Sequence, residues 1–114
     1  MMATPQLTPE QQEEFQRFNQ LVQQLEIIRA NLQQLEMEKR DVESAIKETK
    51  TIDAESNIYR SAGRLLFQTN IEKVKKHLSE QQEQIEVRLS SLTNREKKLV
   101  ASVKELQEKL MGQS

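Results

Sequence analysis

The side chains best able to do chemistry are few and poorly placed for it. The single histidine, His77, stands beside Lys75, Lys76 and Ser79. It falls on a polar helix face, and a general base would need a positioned partner, so it reads as a solvated surface residue. The 18 acidic residues are scattered among 17 basic ones, an arrangement that solubilises helices better than it builds an acid–base pair. Cysteine is absent, which removes disulfides and thiolate metal sites. There is no glycine-rich phosphate loop and no Ser/His/Asp set. The sequence therefore predicts no enzyme, no catalytic residue, no cofactor and no metal. The basic run Arg95, Lys97, Lys98 is interrupted by Glu96, and the net charge is −1. Nucleic acid, which selects a basic stripe, is not an expected partner. What remains is recognition through apolar surface, and the elements must present it.

Those elements are helices. The chain has 114 residues, two glycines, two prolines and no tryptophan, a composition of long helices rather than of a globule. Such a chain buries its apolar stripe against itself or a partner, because it has no thick core to use. The start, Met1-Met2-Ala3-Thr4-Pro5-Gln6, has neither a basic region nor an apolar run, and no stretch approaches the ~18 apolar residues that span a bilayer. A cytoplasmic protein with no membrane partner is expected.

Thr8-Pro9-Glu10-Gln11 opens the first helix, about residues 9–50. Thr8 is the cap, Pro9 the first helical residue and Gln11 the reciprocal partner of a capping box. Phe18, Leu21, Leu25, Ile28, Leu32, Leu35, Lys39, Val42, Ile46 and Thr49 then recur in 3,4 alternation, a coiled-coil seam roughly 60 Å long. A second seam, about residues 70–111, is marked by Ile71, Leu78, Ile85, Leu92, Leu99 and Leu106 at every seventh place. Val74, Leu89, Val103 and Leu110 accompany it, with polar Gln81, Arg88 and Glu96 between. Thr69-Asn70-Ile71-Glu72 offers a second capping box, and Gly112 a stop. The two helices have nearly equal length. Acidic residues open the first (Glu10, Glu13, Glu14) and basic ones close the second (Lys97, Lys98, Lys104, Lys109), so antiparallel pairing brings opposite charges together. Lys39 then falls near Gln81, either as a polar layer that fixes register or with its amine turned outward.

Between the helices the heptads stop. Asp53, Ser56 and Asn57 supply turn chemistry. Ile58-Tyr59-Arg60-Ser61 and Leu65-Leu66-Phe67-Gln68-Thr69 suit strands, and Gly63 suits a tight turn. The alternative is that Leu65-Leu66-Phe67 opens the second helix. Strands carry the larger consequence, since a lone two-stranded ribbon is marginal in water and its edges invite pairing with other chains. The fold class expected is mainly α: a long antiparallel two-helix coiled-coil hairpin, one domain over 1–114. A short β-hairpin at about 57–69 would join an oligomeric β-barrel through Ile58, Tyr59, Gly63, Leu65, Leu66 and Phe67.

The segment from Ile58 to Thr69, set between helices of matched length, resembles the strand–glycine–strand connection of the prefoldin family. One short ribbon rather than two points to its β-type subunits. The resemblance implies a hexamer of two α-type and four β-type subunits built on β-barrels. It implies that coiled-coil tips hold unfolded proteins and pass them to a group II chaperonin, without ATP. Paired helices fray at their free ends. There, Phe15, Phe18, Val22, Val100, Val103, Leu110 and Met111 form a tip richer in apolar residues than a seam needs. Leu21, Leu99 and Leu106 are assigned to the seam, and Phe15, Val100 and Met111 to contact with a client. The competing function is a structural or tethering coiled coil that binds no client, which requires 50–69 to be helix or plain loop.

Overall fold

The computed structural model describes residues 7–112. Residues 1–6, read above as carrying no leader, and residues 113–114 lie outside them. The order is α1 (Pro9–Thr49), β1 (Ile58–Ala62), β2 (Leu65–Thr69) and α2 (Ile71–Met111). The fold is mainly α, an antiparallel coiled-coil hairpin of two helices with one short β-hairpin in the connection.

The chain forms two compact units. One comprises the chain up to Leu32 and from Ser91 onward; the other is Gln33–Ser90. In the first, the pairing of Glu14 with Lys109 and of Arg29 with Glu96 sets the helices antiparallel. In the second, Val42 shares a groove with Gln81 and Ile85, and Thr49 shares one with Lys75 and Ser79, again in opposite chain directions.

Local chemistry fixes the helix ends. At the start of α1 the Thr8 amide donates to Gln11 Oε1 (3.0 Å) and the Gln11 amide donates to Thr8 Oγ1 (3.1 Å). Two otherwise orphaned amides are satisfied at once. The helix stops without glycine. The amides of Lys50, Thr51 and Ile52 donate to the carbonyls of Lys47, Glu48 and Thr49, a tighter 3₁₀-type turn that uses up the last acceptors. Thr49, buried, donates its hydroxyl to the Ile46 carbonyl at 2.6 Å. Asp53 then organises the connection, its carbonyl accepting from the Ser56 amide and its carboxylate from the Glu55 amide.

The cap of α2 differs from the expected Thr69–Glu72 box. Thr69 is held in β2 opposite Ile58, so Asn70 takes the cap and accepts from the Lys73 amide at 2.9 Å. With lysine rather than Glu or Gln three places on, nothing reaches back and the box stays half-made.

All ten seam positions of α1 are buried or half-buried, with Leu25, Ile28, Leu35 and Thr49 the most enclosed. Lys39 and Gln81 are both half-buried, so a polar stretch interrupts both apolar stripes. In α2 one assignment is corrected: of Arg88 and Leu89, both read into the seam, Arg88 is exposed and only Leu89 is half-buried. From Leu78 the covered positions run through Gln81, Gln82, Ile85, Leu89 and Leu92, so the seventh-place spacing of Leu78, Ile85 and Leu92 holds while the position between the last two shifts by one residue.

The connection is extended, not helical. Strands β1 and β2 pair antiparallel from Ile58 opposite Thr69 to Ala62 opposite Leu65. This excludes Leu65-Leu66-Phe67 as the start of α2. The loop is Gly63-Arg64, with Ala62 inside β1. Gly63 has φ +61° and no other described residue has positive φ, the pattern of a type II′ turn.

Candidate functional site

Side chains alternate across the ribbon, so its register sorts them into two faces. Ile58, Ala62, Leu65 and Phe67 share one face with Arg60 and Thr69; Tyr59 and Leu66 share the other with Ser61 and Gln68. Ile58 is half-buried, while Tyr59, Leu65, Leu66 (72%) and Phe67 (51%) are exposed. Only five apolar residues in the described chain are buried: Leu25, Ile28, Leu35, Ile71 and Ile85. The ribbon thus exposes four large hydrophobic or aromatic side chains, against five apolar ones that the helices bury. Covering each would contribute on the order of 1.5–3 kcal/mol. The two-stranded sheet also leaves both outer edges unpaired among the described residues, and an open edge is a template for another strand.

The second surface lies where α1 begins and α2 stops. Of the residues expected there, Phe15, Val100 and Met111 (69%) are exposed, while Phe18, Val22, Val103 and Leu110 are half-buried with Leu21, Leu99 and Leu106. The first three lie off the seam, and half-buried Val22 flanks it. The others line it, so their apolar surface is already shared between the helices.

The residue that seam reading overlooked here is Glu14. Its carboxylate is buried, with Oε1 accepting from Lys109 Nζ at 2.8 Å and Oε2 enclosed without a hydrogen-bond partner. The signal was present. Stepping back from Phe18 by four and then three residues places Glu14 and Gln11 in the same seam. The hydrogen bond to Glu14, and then that carboxylate's charge, hold the Lys109 ammonium above the ordinary lysine value of 10.5 against a smaller opposing effect of burial. Arg29 Nε meets Glu96 Oε2 at 3.3 Å, but both groups are solvated enough that the pair contributes at most about 1 kcal/mol.

Off-seam apolar residues were also passed over: Leu7, Ile27, Met37, Ile52 and Val87 are exposed. Scattered singly along polar faces, they form no patch. His77 is not the freely solvated residue expected. It is half-buried, its Nε2 3.5 Å from Arg60 Nη2, because its face of α2 turns toward β1. Among the described residues no group of three or more His, Cys, Asp or Glu is placed to hold a metal. No helix there is long and apolar enough to cross a membrane.

With this geometry in view, the chain was compared with known proteins. Residues 12–113 match the family profile described as Prefoldin subunit. The prefoldin subunit beta of Archaeoglobus fulgidus is 34% identical over 106 residues, which cover 93% of this chain and 91% of that protein. The prefoldin subunit beta of Sulfolobus acidocaldarius is 32% identical over 94% of this chain and 86% of that one. Among solved structures, the prefoldin beta subunit of Thermococcus strain KS-1 superposes with a TM-score of 0.85 at 27% identity, covering 96% of each chain.

Proposed function

The chain belongs to the prefoldin family as a β-type subunit, and from that premise we propose that it works as part of an ATP-independent holdase. Four such chains assemble with two α-type subunits through their hairpins, whose open edges and exposed Leu65, Leu66 and Phe67 complete β-barrels. The helix ends then hold unfolded polypeptides through Phe15, Val100 and Met111, with Phe18, Val22, Val103 and Leu110 joining as the last turns loosen. Clients pass to a group II chaperonin in the cytoplasm. No covalent chemistry is involved.

One observation carries this reading: apolar side chains stand uncovered at two surfaces, the ribbon and the helix ends, in a chain that buries very few. Contacts of about 1–3 kcal/mol per side chain are weak and non-directional, which suits clients of many sequences. Several helix ends acting on one client raise effective concentration without any strong single contact. Met111 adds an unbranched, adaptable side chain.

The test is protection of a denatured client from aggregation, without ATP, by this chain assembled with an α-type partner. Replacing Phe15, Val100 and Met111 together by serine leaves assembly intact and abolishes most protection. Full protection by that variant would refute the assignment of client contact to the helix ends.

A further inference from the structure

Between β1 and the first turns of α2 lies an open groove of about 390 Å³. Its apolar floor is Ile58, Val74 and Leu78, and its polar wall is Arg60, Lys73 and His77. No carboxylate lines it. Arg60 and Lys73 are exposed, and the Arg60 guanidinium and His77 imidazole converge to 3.5 Å. Two cations and an imidazole facing one apolar trough call for an occupant that is acidic and apolar together.

The chain carries one short non-helical segment of that description. In the connection after α1, Ile52 is 38% exposed and is followed by Asp53 and Glu55, both exposed. The helical acids are spread along α1 and α2, whereas this turn presents both carboxylates and the isoleucine within four residues. Neither Asp53 nor Glu55 forms an ion pair among the described residues. Asp53 spends one carboxylate oxygen only on a long 3.4 Å bond from the Glu55 amide.

We propose that this groove receives the Ile52-Asp53-Ala54-Glu55 turn of a second copy of the chain, the isoleucine against Ile58, Val74 and Leu78 and the carboxylates against Arg60 and Lys73. Donor and acceptor surfaces differ, so two copies can satisfy the contact reciprocally about a two-fold axis, each giving its turn to the other's groove. The inference rests on the reading of the chain as an assembling subunit and adds a side-chain contact to the strand edges.

Charge reversal tests it on the full chain. Arg60→Glu with Lys73→Glu makes both surfaces acidic; Asp53→Lys with Glu55→Lys makes both basic. Sedimentation equilibrium of each variant alone is expected to show the midpoint of self-association raised about tenfold or more. An equimolar mixture of the two is expected to recover association near the wild-type midpoint, because each groove again meets a turn of opposite sign. Variants that associate like wild type, a mixture that does not recover, or a wild-type chain that stays monomeric would each overturn the proposal. Client protection by the assembly with the α-type partner is measured separately. Lost protection with charge-swap recovery intact would sink the holdase reading alone, and retained protection without recovery would sink this contact alone.

Discussion

Gly63 gives the sharpest handle on assembly, because its substitution separates backbone conformation from packing. At φ +61° it occupies a region where an L-residue's Cβ is strained, at about 1–2 kcal/mol per residue. A Cβ built there meets nothing within 4 Å, so there is no clash to add. Alanine also narrows the unfolded ensemble, which returns about 0.4–1 kcal/mol. The net for Gly63→Ala is then about 1 kcal/mol against the ribbon in each copy. In the proposed assembly of four such ribbons these costs would total about 4 kcal/mol, roughly a thousandfold in the overall assembly constant. The assay is native mass measurement of this chain with the proposed α-type partner across a dilution series, alongside far-ultraviolet circular dichroism. The complex is expected to dissociate at markedly higher concentration while the helical signal is unchanged. A D-alanine at the same place, introduced by chemical synthesis, favours positive φ and is expected to assemble at least as well as glycine. If Gly63→Ala assembles at the wild-type midpoint, or if D-alanine is as damaging as L-alanine, the turn does not govern assembly and the reasoning fails.

Two further outcomes follow from the seam and the helix ends. Ile28 is 5% exposed and its neighbour Ile27 is 62% exposed; Ile28→Ala is expected to cost about 2–5 kcal/mol and Ile27→Ala less than about 0.5 kcal/mol, so equal thermal shifts would contradict the seam. Lys109→Met is expected to melt below wild type at neutral pH, since it leaves the buried Glu14 carboxylate unpaired. Because the folded-state lysine value is raised, the contribution of the pair is whole below the ordinary 10.5 and lost as pH rises through the raised value. The gap in melting temperature should therefore close in strongly alkaline solution, and a gap that persists there would show that lost packing, not charge, is responsible.

Much of this was legible because heptad spacing is a rigid constraint. Once Phe18, Leu21 and Leu25 set the phase, every later seam position of α1 followed, Lys39 and Thr49 included. The ribbon was legible from Gly63 between β-prone runs. Besides His77, three features were misread, each for a local reason. Arg88 was read into the seam beside Leu89 by extending the spacing of Val74 and Gln81. Only Leu89 is covered there, and the guanidinium stays exposed. Thr69 was read as a cap because its type suits one, but strand pairing with Ile58 had already claimed its backbone, and the role passed to Asn70. Glu14 was read as a surface acid because its type is polar. Periodicity placed it inside, and Lys109 makes that tolerable. For Thr69 and Glu14 residue type pointed one way and geometry another, and geometry prevailed; for Arg88 spacing pointed inward and residue type prevailed.

The same contest explains why so small a chain leaves its best apolar side chains uncovered. A two-helix seam is one layer thick, and no side chain in it is fully buried. Its stability grows with length, one turn at a time, and the added turns offer no second layer for Leu65, Leu66 or Phe67 to enter. Their burial energy is therefore available to association rather than to folding. Substitutions on the ribbon should change how many copies come together and leave each helix pair standing, whereas substitutions in the seam should do the reverse. A chain whose folding and assembly draw largely on separate residues can lose or exchange a neighbour without unfolding, which the proposed holdase assembly would require.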